Sequence, residues 1–284
     1  MHATTDLAAL GQIASLKKSD RMPVLFLGHG SPMNALPGNG YFQSWQALGA
    51  EFGTNVARPQ LILCISAHWL TEGWWLTAME KPKTIHDFGG FPQELFDQQY
   101  PALGDAAAAR AIGQLVRQRG SLPLGLDMAQ WGLDHGSWSV LKPMFPDADI
   151  PVIQLSMDYS RPPEDHYALA LQLKALRERG VLIVGSGNIV HNLAQMQRGA
   201  SGSQAYDWAL EFDQTVGGYL QQGNLGALQS FLKLGQLAKM AHPSHEHYLP
   251  LLYAAGAADA KEPMRFFNTS FQGGSISMRS VVWG

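Results

Sequence analysis

The fold is indicated first by the stretch Val24-Leu25-Phe26-Leu27-Gly28-His29-Gly30-Ser31-Pro32. Its first four residues are apolar and branched or aromatic, as expected for a strand that is buried on both faces. Two glycines and a proline then end the strand. The histidine between the glycines lies at the carboxyl end of the strand, where open α/β sheets bind their ligands. Alone, the motif fits a ligand site and a tight turn with an incidental histidine equally well.

The same pattern occurs after two further apolar segments. Residues 61–66 form an apolar run followed by Ala67 and His68, and residues 181–184 form another, followed by Gly185-Ser186-Gly187 and then His191. Segments with helical spacing at 41–52, 105–119 and 163–179 lie between these runs. Alternating strands and helices predict a single α/β domain with a mainly parallel central sheet flanked by helices. Parallel strands end at one edge of a sheet, so we expect the histidines to converge there.

The remaining segments complete this prediction. Further strands are predicted at 74–79, 122–126, 150–157, 266–269 and 275–282, and further helices at 204–220, 225–233 and 246–255. Residues 131–138 are interpreted as a polar turn. Residues 1–20 have the apolar spacing of a short amphipathic helix, so we divide the chain into an N-terminal helical extension at 1–21 and a larger domain at 22–284.

Composition excludes several classes of protein. The formal net charge is −3 and there is no cluster of Lys and Arg, so the chain lacks the electrostatic surface that nucleic acid binding requires. No apolar run is long enough to cross a membrane. The order of charges in residues 1–20 differs from that of a signal peptide, so we predict a cytoplasmic protein. The single cysteine, Cys64, excludes an internal disulfide and a thiolate metal site.

A fourth histidine-rich segment supports a metal site. His242, His245, Glu246 and His247 lie close together, directly before a predicted apolar helix. A single histidine is more often structural, but four such segments at comparable positions favour a metal centre. Neutral imidazoles suit Zn, Fe(II) or Mn, whereas Mg and Ca prefer oxygen ligands. Spacing does not tell which of these side chains points inward. The glycines at 185 and 187 lack the lysine of a phosphate-binding loop.

Six motifs, in this order along the chain, resemble those of the DOPA extradiol dioxygenase family, whose members are class III ring-cleaving enzymes related to the β subunit of protocatechuate 4,5-dioxygenase. The resemblance extends from about Met22 to the C-terminus. The motifs are Gly28-His29-Gly30-Ser31-Pro32, Ser66-Ala67-His68-Trp69, His86-Asp87-Phe88-Gly89-Gly90-Phe91-Pro92, Asp134-His135-Gly136-Ser137-Trp138, Gly187-Asn188-x-x-His191-Asn192 and His242-Pro243-Ser244-x-Glu246-His247-Tyr248-x-Pro250.

The resemblance implies an enzyme that inserts both atoms of O₂ into a small aromatic diol, a DOPA-like catechol, at a single non-haem metal. Active members use Fe(II), and Zn(II) is often the metal in the isolated proteins. The family's metal positions correspond to His29, His68 and His247, with Glu246 as a rival to His247. His191 corresponds to a fourth ligand or a base beside the metal. The family's other acid/base position corresponds to His135.

These roles agree with elementary chemistry. A neutral imidazole near pH 7 can take the second phenolic proton, a role we assign to His191, and an acid is needed later in the rearrangement, a role we assign to His135. Each aromatic residue in the motifs is equally consistent with the hydrophobic core. The residues expected to line the substrate pocket are Ser31, Trp69, His86, Phe88 and Trp138. No basic residue in the motifs is an evident clamp for a substrate carboxylate, and the sequence does not specify the oligomeric state.

Two other functions fit parts of the pattern. Three imidazoles around an open zinc would equally well lower the pKa of a bound water, as in a zinc hydrolase. A non-catalytic binding protein is the second, because the superfamily resemblance extends to a signalling branch. A protein with a dead site would be expected to have lost some of the histidines, and this chain retains every motif. Activity that depends on Fe(II) and O₂ would separate the dioxygenase from the hydrolase.

Overall fold

The computed structural model describes residues 16–118, 120–197 and 205–284. Its strands are β1 (Val24–Gly28), β2 (Leu61–Ser66), β3 (Leu70–Thr71), β4 (Trp75–Thr77), β5 (Lys83–Thr84), β6 (Gly125–Asp127), β7 (Gly132–Leu133), β8 (Val152–Gln154), β9 (Met157–Asp158), β10 (Val181–Gly187), β11 (Met264–Phe267), β12 (Phe271–Gln272), β13 (Ile276–Ser277) and β14 (Ser280–Trp283). Its α-helices are α1 (Gly40–Glu51), α2 (Gln93–Phe96), α3 (Ala106–Leu115), α4 (His135–Met144), α5 (Pro163–Leu173), α6 (Asp207–Gln221), α7 (Leu225–Gln229), α8 (Gln236–Ala241) and α9 (Leu249–Ala257). Short 3-10 helices span Pro32–Ala35, Lys174–Arg179, Leu193–Gln195 and Phe231–Leu234.

The central sheet has the strand order β11-β14-β1-β10-β2-β8. Strands β1, β10, β2 and β8 are parallel neighbours, whereas β14 runs antiparallel to both β1 and β11. The predicted α/β domain with a mainly parallel central sheet is therefore confirmed. The carboxyl ends of β1, β10 and β2 lie side by side at one edge.

Helices cover both faces of this sheet. Val24 and Phe26 of β1 belong to the hydrophobic cluster that includes α5 and α9, whereas Leu25 and Leu27 belong to the cluster that includes α1 and α4. Burial on both faces explains why β1, β2 and β10 are continuous apolar runs rather than alternating ones.

Strand β10 is longer than predicted, because it continues through Gly185, Ser186 and Gly187 instead of ending before them. The segment that leads into α9 packs directly against this end of the strand. A Cβ at Gly185 would lie 2.3 Å from the carbonyl oxygen of Pro250, and one at Gly187 would lie 2.2 Å from that of His247. The glycines therefore permit close packing and do not form a phosphate-binding loop.

The predicted polar turn at 131–138 is wrong from residue 135 onward, because helix α4 begins at His135. The side chain of Asp134 caps the helix by accepting the backbone N–H of Ser137 at 3.1 Å. Nearly every residue of α4 is buried, so its sequence lacks the polar face by which a helix is usually recognised.

Other predicted boundaries differ by a few residues. The strand predicted at 150–157 is divided into β8 and β9, and the one predicted at 275–282 into β13 and β14. The helix predicted at 163–179 is α-helical to Leu173, continues as a 3-10 helix and ends at Gly180, whose φ of 70° is left-handed. Most of the predicted helix at 1–20 lies outside the described residues. Within the described part of the chain, no helix combines the length and apolarity of a membrane span.

Candidate metal centre

Two strand ends bring His29 and His68 together. His29 follows β1, and its backbone N–H donates to the carbonyl oxygen of Gly187 at 3.1 Å. His68 follows β2, where the N–H of Ala67 donates to the carbonyl oxygen of Ser186 at 3.0 Å. The Nε2 atoms of the two histidines are 3.3 Å apart. The parallel pairing of β1, β10 and β2 thus produces the predicted convergence.

His247 reaches the same place from the segment before α9. Its ring centroid lies 5.2 Å from that of His29 and 5.1 Å from that of His68. One potential ligand atom from each of the three residues lies within 4.8 Å of the others. The Nε2 atom of His247 is buried and has no hydrogen-bond partner among the described residues. A buried polar atom without a partner is costly, so the three imidazoles fit a bound metal ion.

The three imidazoles each have an oxygen partner at Nδ1, which leaves Nε2 facing the centre of the cluster. The pairs are His29 with Ser186 Oγ at 3.1 Å, His68 with Asp87 Oδ2 at 3.3 Å and His247 with Glu246 Oε1 at 2.9 Å. Partners of this kind orient a ligating imidazole. Burial, together with the neighbouring imidazoles, lowers the pKa of His29 and of His247 well below the usual value. Both side chains are therefore neutral, which is the form that binds metal.

His191 lies beside this cluster and stacks on His247. The ring centroids are 3.4 Å apart and the planes differ by 6°. The backbone N–H of His191 donates to the carbonyl oxygen of Ala241 at 2.9 Å, which fixes the segment after β10. Burial lowers the pKa of His191 to about 4, so its side chain is neutral at pH 7 and can accept a proton.

His135, the first residue of α4, lies over His68, with ring centroids 3.9 Å apart. Its Nδ1 and its backbone nitrogen are each 2.9 Å from Oδ1 of Asp87. Burial alone raises the pKa of Asp87, but the hydrogen bonds from His135 and the nearby imidazoles lower it below its usual value. The carboxylate is therefore ionised at neutral pH and can accept both contacts.

A cavity of about 620 Å³ opens over these side chains. One side is formed by the imidazoles, and much of the rest is apolar. The apolar side chains are Pro32, Phe88, Phe91, Leu193, Met196, Phe271 and Ile276. Within the described residues that line it, Asp87 is the one carboxylate, and there is no Lys or Arg. A concave, largely apolar space with polar groups converging on one side is typical of a site for a small molecule.

Residues 23–277 match the family described as the catalytic LigB subunit of aromatic ring-opening dioxygenase. The chain belongs to this family. Among its relatives, the 4,5-DOPA dioxygenase extradiol of Escherichia coli (strain K12) is 47% identical over 276 residues, which cover 95% of this chain and 97% of that protein. The protein of the same name from Beta vulgaris is 34% identical over 90% of this chain and 94% of its own length. The crystal structure of an uncharacterized protein from Escherichia coli K12 has a TM-score of 0.78 at 42% identity and covers 93% of this chain and 100% of its own.

Membership of the LigB family confirms the resemblance found in the sequence and makes the chain an aromatic ring-opening dioxygenase. Dioxygenases of this family depend on a metal and act on an aromatic substrate with O₂. The alternative of a zinc hydrolase has no support among these relatives. The cluster of imidazoles is the place in the described residues where such a metal fits.

Five predicted histidines of this LigB-family chain lie at the cavity, although their individual roles stay predictions. They are His29, His68, His135, His191 and His247. Of the other two histidines in the segment 242–247, neither reaches the cluster. Nε2 of His242 lies 2.7 Å from the carbonyl oxygen of Ile189, and His245 stacks on Tyr159 with ring centroids 4.6 Å apart.

The expected substrate pocket needs a correction. Ser31 and Phe88 line the cavity, but Trp69 does not. Trp69 stacks on Trp131, with ring centroids 5.8 Å apart, and lines a separate depression of about 370 Å³. Ala67 and His68 form a turn after β2, and the side chain that follows packs on Trp131 and not beside the imidazoles.

Trp138 and His86 also lie outside the cavity. Trp138 is fully buried, and its Nε1 donates to the carbonyl oxygen of Ile85 at 2.9 Å. His86 packs against Trp138, and its Nε2 lies 2.8 Å from the carbonyl oxygen of Gln98. Both residues therefore anchor the loop that carries Asp87, and neither lines the substrate cavity.

Three polar residues of the site received no predicted role from the sequence. Asp87 belongs to one of the quoted motifs, and its place in a loop rich in glycine and aromatic residues was the available signal. Ser186 lies within the glycine-containing end of β10. Gln272 accepts the backbone N–H of Ser31 at 2.9 Å and lines the cavity, but it comes from a short hairpin that carries no sequence motif.

Proposed function

We propose that the chain binds a mononuclear metal through His29, His68 and His247 and opens the ring of a DOPA-type catechol next to one of its hydroxyl groups. The observation that carries this proposal is the convergence of three neutral imidazoles at the cavity, where the buried Nε2 of His247 has no partner in the part of the chain that the structure describes. Three protein ligands leave positions on a metal free for other molecules, as in the open sites of non-haem oxygenases.

The metal of the active enzyme is Fe(II) in this proposal, and Zn(II) is a plausible occupant of the isolated protein. Fe(II) would supply open coordination positions for both catechol oxygens and for O₂ and would carry electrons between the ring and oxygen. The imidazole ligands suit either ion, so the ligands alone do not select between them.

The protein's own side chains would manage protons and orientation. His191, which is neutral and lies against His247, would accept a phenolic proton of the catechol. His135 would provide the acid that the later rearrangement needs. Phe88 and Phe91, at the apolar side of the cavity, would hold the aromatic ring and exclude water.

The substrate proposal rests on the names of the relatives and on the lining of the cavity. Relatives that cover nearly the whole chain are named for 4,5-DOPA. The described lining offers no Lys or Arg to pair with the α-carboxylate of DOPA. Smaller catechols that lack this carboxylate are therefore also suitable probes. The cytoplasmic location stays a prediction from the sequence.

The test is anaerobic reconstitution of the purified protein with Fe(II), followed by aerobic addition of L-DOPA and a panel of small catechols. The zinc-loaded protein is the control. We expect a yellow ring-opened semialdehyde from the iron form alone. If no catechol in the panel reacts and no O₂ is consumed, the proposed function is wrong.

A further inference from the structure

Asp87 is the one carboxylate among the described residues of the cavity, and it lies between two imidazoles. Oδ2 is 3.3 Å from Nδ1 of His68, a proposed metal ligand. Oδ1 is 2.9 Å from Nδ1 of His135, the proposed acid/base. The same oxygen accepts the backbone N–H of His135 at 2.9 Å, so it also holds the start of α4.

The loop that carries Asp87 is held two residues before it, at Ile85. The N–H of Ile85 donates to the carbonyl oxygen of Leu133 at 2.7 Å, directly beside the pairing of β5 with β7. The carbonyl oxygen of Ile85 accepts Nε1 of Trp138 at 2.9 Å. Asp87 therefore sits on a rigid support, as a residue that orients others requires.

A carboxylate oxygen accepts hydrogen bonds, so Asp87 favours a proton on Nδ1 of His135, 2.9 Å away, and on Nδ1 of His68, 3.3 Å away. This tautomer leaves the lone pair of each ring on Nε2. For His68 that atom faces Nε2 of His29, 3.3 Å away, and for His135 it is the nitrogen that Asp87 leaves free for exchange with a substrate. One carboxylate thus orients both a proposed metal ligand, His68, and the proposed acid, His135.

Glu246 provides the comparison. Its Oε1 contacts Nδ1 of His247 at 2.9 Å, and its other recorded contact is the hydroxyl of Ser244. It supports His247 and lies within 4.8 Å of a potential ligand atom of His191, but among the described residues it makes no contact with His135. Asp87 therefore contacts both a proposed metal ligand and His135, whereas Glu246 contacts the proposed ligand His247.

We propose that Asp87 is a positioning residue with two arms, one that orients His68 for metal binding and one that orients His135 for proton transfer. The inference rests on the proposed function, because it takes the roles of the two histidines from it. The two arms predict two separate measurable losses when Asp87 is changed.

The main variant is Asp87→Ala, because alanine removes both carboxylate oxygens, whereas asparagine would keep an oxygen at the Oδ1 position, which contacts both Nδ1 and the backbone nitrogen of His135. We expect the Kd for metal, measured by competition with a chelator, to rise about 10- to 100-fold. At saturating Fe(II), kcat should also fall about 10- to 100-fold. His135→Gln should lower kcat while leaving the metal Kd within about threefold, because that arm does not reach the metal.

The double variant distinguishes positioning from a general loss of structure. If Asp87 acts on turnover through His135, adding Asp87→Ala to His135→Gln should cause no further loss of kcat, yet should still weaken metal binding. Glu246→Ala is the matched control, and its effect on kcat should multiply in full with that of His135→Gln. Circular dichroism checks folding, and Asp87→Ser, with the same expected pattern, replaces Asp87→Ala if the latter is unfolded.

The inference is overturned if Asp87→Ala leaves the metal Kd within about threefold of the wild-type value, or if its loss of kcat multiplies fully with that of His135→Gln. Failure of the proposed function would look different, because the iron-loaded wild-type protein would then be inactive. The metal Kd would still test the His68 arm in that case.

Discussion

At the residue scale, the site depends on which nitrogen of each imidazole faces the cavity. The hydroxyl of Ser186 donates to the carbonyl oxygen of Gly136, so its oxygen accepts Nδ1–H of His29. A carboxylate oxygen lies 2.9 Å from Nδ1 of His247, and another lies 3.3 Å from Nδ1 of His68. Three different partners, from three parts of the chain, thus direct three Nε2 lone pairs to one point.

Removal of His247 should therefore abolish tight metal binding. Loss of an orienting partner typically costs about 10- to 100-fold in metal affinity, so loss of the ligand itself in His247→Ala should cost at least about 100-fold. His245→Ala is the matched control, because His245 stacks on Tyr159 away from the cluster. Equal metal affinity in the two variants, measured by chelator competition, would remove His247 from the ligand set.

Replacement of His191 should lower the catalytic rate without removing the metal. A base that takes a phenolic proton contributes about 100- to 10,000-fold, so His191→Ala should lower kcat by that range. Metal content after dialysis should remain near the wild-type value. Complete loss of metal would instead make His191 an essential ligand, and unchanged turnover would exclude it from the mechanism.

The site histidines could be found from the sequence because they recur at the ends of apolar runs. The sequence left Glu246 as a rival to His247 for the role of ligand, since neighbouring residues share the same spacing signal. The two residues contact each other, and the unpaired Nε2 of His247 is visible only in three dimensions. The role of Asp87 was hidden for the same reason, because its two partners are distant in sequence.

At the element scale, the contact between β10 and the segment before α9 sets the position of His247. A Cβ at Gly187 would lie 2.2 Å from the carbonyl oxygen of His247, so Gly187→Ala must displace this backbone. We expect a loss of about 1–3 kcal/mol in the free energy of unfolding, together with weaker metal binding.

Gly218→Ala is the control for this substitution. Gly218 lies in α6, and nothing lies within 4 Å of the position of an added Cβ. Alanine there should stabilise the protein by about 0.5–1 kcal/mol. Urea unfolding of both variants checks the prediction, which fails if Gly187→Ala is as stable as the wild type.

The packing of α5 on α9 includes a buried histidine that should make stability depend on pH. Nε1 of Trp74 donates to the hydroxyl of Tyr253 at 2.6 Å, and this hydroxyl lies 2.8 Å from Nδ1 of His166. Burial lowers the pKa of His166 to about 4, below the value of about 6.5 in an unfolded chain.

The unfolded state therefore binds this proton more readily, and stability falls as the pH decreases from about 6.5 towards 4. From the two pKa values, the contribution of His166 to the free energy of unfolding should be about 2 kcal/mol lower at pH 5 than at pH 7. The His166→Gln variant has no titrating group at this position. Between pH 7 and pH 5, its free energy of unfolding, measured with urea, should therefore fall by about 2 kcal/mol less than that of the wild type. An identical fall in both proteins would contradict the role of His166 in this pH dependence.

The main strands and the longer helices were predictable, because each shows a continuous apolar run or a helical period. Helix α4 was not, because burial on all sides removes the amphipathic pattern that identifies a helix. The length of β10 was also hidden. Its glycines are typical turn residues in isolation, and only the close approach of the segment before α9 explains them within a strand.

At the scale of the whole molecule, the parallel sheet brings motifs that are separate in sequence together at one site. Strands β1, β10 and β2 are neighbours in space although they lie far apart in sequence, and their carboxyl ends supply His29, His68 and the segment leading to His191. The remaining residues arrive from the start of α4 and the segment before α9. The apolar cavity above them then provides a space in which an aromatic diol can be held away from water.

The central claim is that this histidine cluster supports ring opening by O₂. The most direct measurement is the ratio of O₂ consumed to catechol consumed by the iron-loaded protein, with an oxygen electrode and with absorbance of the product followed together. The account predicts equimolar consumption, a yellow ring-opened product, and loss of both signals in His247→Ala. Catechol that remains intact, with no O₂ uptake by protein that demonstrably holds iron, would contradict it.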